Sequence, residues 1–562
     1  MRKLISGFIF ALIFLMAIEV NAASIGERSQ FYIDPNYDLN GREKLTAVLV
    51  AETPKIYFYI DENWWNFSSQ SEIYQILGQL GEEFENRIYP TLTSTFGSEW
   101  KPGIDGDERI TILFHPMVED AGGYFRTQDE YPKIQIPNSN EREMVYLNAN
   151  NIKSSYLKSL LAHEFLHLIT FNQKEKKFNI SEETWLNEAR AEYAPTLLGY
   201  DDEEDSNLQK RIQIFIDYPS DPLIEWQNKK YDYGVTNLFI QYLVDHYGKE
   251  ILVDSLFSPK TGVDSLNYAL SKRGFKENFS QIFLDWTIAV LINDCNFGPK
   301  YCYLNKNLKD FYVVPQINFL PLRGKSTLTI NEITKNWAGN WYKIIGGKGN
   351  LKFEFLGETK ANFMVPYVLK NRAGSYNINF LTLDDFRKGE IYIDDFGKDI
   401  ISLFIIPSVE NEKISSTAVQ PFYSFAWSVS TVETQEETEL INRLLAQIDA
   451  LKAEITKVRV QINAILAARG QKTSCSRFEK NLYFGIMNSS DVRCLQEFLS
   501  SEGTEIYPEG LITGNFLNIT KEAVIRFQEK YANEILTPIG LEKGTGFVGE
   551  RTRAKINEIL GK

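Results

Sequence analysis

The sequence predicts a multidomain chain. An α+β domain is expected over 23–311, an all-β, sandwich-like domain over 312–432, a coiled-coil helix over 433–470 and a small α-helical domain over 474–562. Three observations predict this. Strand-like and helix-like periods mingle in the first half. Short alternating runs between Gly, Asn and Asp turns replace them near residue 312. An unbroken heptad pattern then precedes a last helical stretch. A chain of 562 residues is also too long for one core.

Residues 1–22 read as an export signal. Arg2 and Lys3 are followed by an apolar run from Leu4 to Ile18 and by the small-x-small pattern Val20-Asn21-Ala22. The alternative is an uncleaved anchor, but the run is short for a hydrocarbon layer of about 30 Å. Within 23–311, "AVLVAETPKIYFYID" and Ile110–His115 read as strands, and "QSEIYQILGQLGEEFENRIYPTL" reads as a helix. A further strand is expected over Arg142–Asn148, with a long helix over Ser154–Thr170 behind it. In 312–432, runs such as "GNLKFEFLG" and "ISLFIIP" alternate as strands of a sandwich do, and a spacer or binding surface is the expected role. Ile441, Ile448, Ile455 and Ile462 share one heptad position; Leu444, Leu451, Val458 and Ile465 share the other. Ile at one and Leu at the other favour a parallel two-stranded coil and hence a homodimer. The alternative is an amphipathic helix packed on its own chain. Beyond it, "DVRCLQEFL" and "TKEAVIRFQEKY" read as helices, with Thr520 as N-cap of the second.

The net charge of −14 argues against a nucleic-acid partner, which would favour a basic face. The four cysteines form two local pairs. In an exported protein these read as the disulfides Cys295–Cys302 and Cys475–Cys494, with free thiols as the alternative. The chemistry-bearing motif is His163-Glu164-Phe165-Leu166-His167. On a helix, residues four apart share a face, so both imidazoles reach one ion. Glu164 is then placed to contact a water on that ion. A catalytic zinc needs a third protein ligand and one open position. Thr170 and Gln173 stand where a third histidine motif would need Gly and His. "TWLNEARAEYA" follows instead, and Glu188 within it completes a His-His-Glu set. Glu192, one turn on, is expected to accept the free ring N–H of a zinc-binding histidine. The bland alternative for both glutamates is a solvated helix face. Asp105 and Asp107 suggest a turn before a strand more than a calcium loop.

H-E-x-x-H followed by W-L-N-E-x-x-x-E-Y-A resembles the gluzincin class of metallopeptidases. The region from "DGDERITILFHPM" and "AGGYF" to "YDYGVTNLFIQYLVDHYG" resembles the secreted hyicolysin-type enzymes. The resemblance implies a zincin-like α+β domain with the zinc cleft between an N-terminal α/β part and a helical part. It implies one Zn2+ per chain and cleavage of protein or peptide substrates, with Glu164 taking the proton of a zinc-activated water. It implies that an edge strand, taken to be Arg142–Asn148, pairs with substrate and that Asn148 touches it. Tyr231 or Tyr233 is the candidate oxyanion donor; His246 is the other, and His115 reads as structural. Arg190 departs from the class, which often has a small or apolar residue there.

Asp491-Val492, Leu495-Gln496, Leu499, Thr513-Gly514, Thr520, Ala523-Val524 and Phe527-Gln528 resemble the small helical peptidoglycan-binding module, although Asn518 stands where a Gly is usual. This implies peptidoglycan as a partner and a secreted, wall-associated enzyme. Two alternatives stay open: a catalytically inactive wall-bound adhesion or scaffold protein, and a peptidase specific for peptidoglycan cross-link peptides.

Overall fold

The computed structural model describes residues 24–322, 326–411, 420–431, 443–455, 457–458, 475 and 477–561. The expected export signal lies outside them. Among the described residues no helix is long and apolar enough to cross a membrane. The chain divides into two compact units, Met1–Asn442 and Arg443–Lys562.

The first unit opens with six strands: β1 (Arg28–Tyr32), β2 (Lys44–Glu52), β3 (Ile56–Asp61), β4 (Ile110–His115), β5 (Gly123–Phe125) and β6 (Met144–Asn148). They form one sheet in the order β1-β2-β3-β4-β6-β5. β3, β4 and β6 run parallel and are buried along their whole length. Strands covered on both faces read as continuous apolar runs, which is what "IYFYID" and "ITILFH" are. β5 is antiparallel to β6 and forms the edge. Helices α1 (Glu62–Asn66), α2 (Gln70–Glu83) and α3 (Tyr89–Phe96) make the crossover from β3 to β4.

β6 leads into α4 (Leu157–Phe171), and then α5 (Thr184–Leu197), α6 (Asn207–Asp217), α7 (Lys230–Tyr247), α8 (Glu250–Leu256), α9 (Gly262–Lys272) and α10 (Phe279–Ile292) build a helical half. One core runs from the sheet through α4 to α10 and includes Phe58, Ile112, Phe165, Leu166, Leu238 and Trp286. Arg190, the departure from class, is fully buried. It bonds Glu182 at 2.7 Å and the Ser255 hydroxyl at 2.8 Å, so it ties α5 to α8.

Between Gln316 and Thr431 the described elements are all strands, and the alternation is realised. In Gly349–Gly357, Leu351, Phe353 and Phe355 point inward; in Tyr423–Thr431, Phe425, Trp427 and Val429 do so. Strands Ser326–Thr334, Gly349–Gly357, Lys388–Phe396 and Tyr423–Thr431 pair in one antiparallel run, and Gln316–Leu320, Tyr342–Gly346, Pro366–Asn371, Tyr376–Phe380 and Ile400–Ile405 pair in a second run, within one nine-stranded sheet. Among the described residues the two runs pair with each other at Phe396↔Ile400 alone. The change of architecture near residue 312 is not a break in packing. Trp337 stacks edge-on against Phe279 and Phe283, and the Trp341 indole donates to the Thr287 carbonyl at 2.9 Å.

In the second unit, residues 443–455 and 457–458 are helical. Leu444, Ile448, Leu451, Ile455 and Val458 are all exposed, so the described part of the heptad stripe is not covered by its own chain. Ile441, Ile462 and Ile465 lie outside the described residues. Helices Ser490–Ser501, Asn518–Lys530 and Glu550–Ile559 enclose a core of Val492, Leu495, Phe516, Val524, Phe527 and Ile556. The second of these starts at Asn518, so Thr520 is not its cap. Thr520 is buried and accepts from the Gln496 amide at 2.9 Å. Gln496 also accepts from the backbone of Thr513 and Gly514. Gln528 repeats the arrangement with Thr545, Gly546 and Thr552, so the unit is internally duplicated about two buried glutamines. Cysteines 295 and 302, and 475 and 494, are disulfide-bonded.

Candidate active site

α4 carries His163, Glu164 and His167, and α5, packed against it, carries Glu188. The His163 and His167 Nε2 atoms lie 3.2 Å apart. Glu188 Oε2 is 3.2 Å from the first and 3.6 Å from the second. An ion bound tetrahedrally at about 2.0–2.1 Å needs donors about 3.3–3.4 Å apart, so this triangle fits zinc. Glu188 Oε2 is also buried with no hydrogen-bond donor of its own. A buried oxygen left without a donor is costly unless a cation takes that role. Burial pushes the Glu188 carboxyl up, but the two imidazoles outweigh it and hold it at about 2.

The outer nitrogens are held as well. His163 Nδ1 is 3.4 Å from Glu192 Oε1, and His167 Nδ1 is 3.1 Å from Asn187 Oδ1. Glu192 is fully buried. It accepts from Arg211 Nε at 2.8 Å and Nη2 at 2.6 Å, from Asn207 at 2.9 Å and from Asn237 at 3.0 Å. Burial raises its pKa, but Arg211 and His163 more than offset this and keep the carboxylate ionised. Asn187 stands beside Glu188 in the motif, a signal that was open to sequence reading. Arg211, Asn207 and Asn237 come from α6 and α7 with no local signature.

Glu164 is 4% exposed and faces β5. A Cβ on Gly123 would stand 2.9 Å from its Oε1, and one on Gly122 would stand 2.6 Å from Leu160. The two glycines therefore let the edge strand run against α4. Burial is the main cause that raises the Glu164 carboxyl to about 7, with the histidines opposing.

A cleft of about 600 Å³ opens over His163 and Glu164, lined by Tyr37, Gly123, Tyr156, Lys210, Tyr231 and Tyr233 among others. The Tyr233 ring is 6.5 Å from the His163 ring and is backed by Trp226 and by Arg211. Burial raises its phenol well above the usual range, so it stays a neutral donor. Tyr231 stands against Tyr218 in the same cleft. Tyr37, from the β1–β2 connection, accepts from the Asn228 amide at 3.3 Å and so links the two walls. His246 contacts the Cys302 carbonyl, away from the site, and His115 lies buried between Asp38 and Tyr124.

Asn148, the expected substrate contact, is buried and does not line the cleft. Its strand, β6, is interior, flanked by β4 and β5. Its side chain is buried and binds Met117 N, Asn150 N and the Ala121 carbonyl. Asn148 instead clamps the loop that leads into β5, the true edge.

No protein-family model matches the chain. It is similar to the neutral metalloprotease ShpI of Staphylococcus hyicus, 29% identical over 223 residues that cover 34% of this chain and 48% of that protein. The chain thus spans about half the length of that curated relative. Among solved structures it aligns with the pre-peptidase C-terminal domain of a Bacillus anthracis collagenase, at 12% identity and a TM-score of 0.15 over 21% of this chain and 96% of that one. It also aligns with PliG of Aeromonas hydrophila, a periplasmic inhibitor of g-type lysozyme, at 10% identity and 0.14 over 21% and 98%. At such TM-scores neither alignment speaks to the fold.

Proposed function

We propose that this chain is a secreted zinc-dependent endopeptidase of the hyicolysin type, held at the cell wall by its C-terminal unit. The observation that carries the reading is the convergence of His163, His167 and Glu188 on one point beside a buried Glu164. The similarity to a neutral metalloprotease supports it.

His163, His167 and Glu188 would hold the ion, which when bound supplies Lewis acidity toward water and toward a peptide carbonyl. Glu164, kept poised near neutrality by burial, accepts a proton from the attacking water and returns it to the departing amine. Tyr233 donates to the oxygen that gains charge in the transition state. The edge of β5, opened by Gly122 and Gly123, pairs with an extended substrate backbone and asks little of its sequence.

The test is cleavage of an unfolded protein by the mature chain. Activity should be removed by a chelator and should fall about 10³-fold or more in Glu164→Gln with zinc still bound stoichiometrically. Tyr233→Phe should lower kcat more than Tyr231→Phe. Unchanged activity in Glu164→Gln would sink the reading. The uncovered heptad stripe supports a parallel two-stranded coil between two copies; sedimentation as a monomer at micromolar concentration would count against it.

A further inference from the structure

The cleft carries charge that the peptidase chemistry does not use. Its carboxylates near the metal face are accounted for: Glu188 and Glu164 serve the ion and the proton, and Glu192 is paired with Arg211. Asp120 lies exposed among the other lining residues. The lining also includes Lys210, Lys229 and Lys230. Among the described residues no carboxylate is within ion-pairing distance of these three, although Asp205 lies in Coulombic range of Lys210. This is unusual for the surroundings. The net charge is −14, and nearby cations are paired: Lys158 with Glu203, Lys174 and Arg190 with Glu182, Arg211 with Glu192.

Lys210 is not a freely solvated side chain. It is half-buried, and its Nζ lies 3.1 Å from the centre of the Tyr156 ring. A cation laid on an aromatic face is held in place while its remaining N–H groups stay open to a ligand. Tyr156 stands at the N-terminal boundary of α4, two helical turns before His163 and so about 10 Å along the axis. An extended peptide advances about 3.3 Å per residue, so a substrate held at the metal places a side chain there within two or three residues of the scissile bond.

We propose that the Tyr156–Lys210 end of the cleft is a specificity pocket for an acidic substrate side chain, with Lys229 and Lys230 adding longer-range attraction. The proposal rests on the peptidase reading, because it assigns a subsite of that cleft. The Lys210 ammonium pairs with the Asp or Glu carboxylate, and the Tyr156 ring flanks the carbon stem. The attraction is electrostatic and so weakens as salt rises.

The test uses the full mature chain with zinc and peptides that differ only in carrying Glu, Gln or Lys at one position within three residues of the cleaved bond. At one such position kcat/KM should be at least about tenfold higher for Glu than for Gln, and lowest for Lys. Lys210→Gln should erase the Glu/Gln ratio by lowering kcat/KM mainly for the Glu peptide, and Lys210→Glu should turn the preference toward Lys. A ratio near one at every position, or an equal loss on both peptides in Lys210→Gln, overturns the pocket. Anisotropy of the same labelled peptides on the Glu164→Gln chain separates the two ideas. Tighter binding of Glu peptides that Lys210→Gln abolishes, with no cleavage by the unaltered chain, would discard the peptidase reading and keep the acidic pocket. Charge-blind binding would discard the pocket.

Discussion

At Glu192 one carboxylate joins three helices to the face that carries His163. It meets His163 from α5, is gripped by Arg211 and Asn207 of α6, and takes a further bond from Asn237 of α7. Such a partner fixes the ring orientation of a ligand, and its loss typically costs 10- to 100-fold in metal affinity. Glu192→Gln should therefore bind zinc about 10- to 100-fold more weakly in competition with a chromophoric chelator, while Tyr231→Phe should not change binding. The spacing of His163 and His167 and of Glu188 and Glu192 on their helices was legible in the sequence because helical period places them without tertiary information. Asn187 was legible too, one residue before Glu188. Arg211 and Asn237 were not, since residues 19 and 45 positions beyond Glu192 meet it only through packing.

At the scale of elements, the sheet shows what periodicity leaves open. Strand "REMVYLN" is apolar enough for either an edge or an interior place. Only the chain path puts the three-residue β5 outside it, and Asn148 inside, beneath the Ala121–Gly123 loop. Below the same strand, Glu130 and Glu143 form a buried carboxyl pair. Burial first, and then mutual repulsion, raise Glu130 well above its usual range; burial first raises Glu143 to about 7. The folded pair keeps a proton that the unfolded chain releases above about pH 4.3. Its contribution to stability is therefore full below that pH and is lost as pH rises through 7. Chemical denaturation at pH 5 and pH 8 should show a smaller pH-dependent loss for Glu143→Gln than for the parent. An equal loss would mean that other groups carry the dependence.

For the whole molecule, the β-rich part is built into the first unit by Trp337 and Trp341. Trp341→Ala removes a buried indole and its bond to Thr287, at a cost of about 3–5 kcal/mol. Calorimetry should then show the transition of that unit divide in two, where the parent unfolds in one; a single transition lowered in temperature would argue against a docked interface. By itself the sequence determined that His163 and His167 share a helix face, the disulfide pairs, the strand alternation after residue 316 and the spacing of the heptad pattern. Each of these depends on covalent spacing or on the period of a single element, and those are local properties. Tertiary structure alone decided which strand is the edge, which tyrosine stands beside His163, what holds Glu192 and which cations of the cleft have no ion-pair partner among the described residues. These depend on residues far apart in the chain meeting in a packed interior, where burial and neighbouring charge are set jointly by many elements.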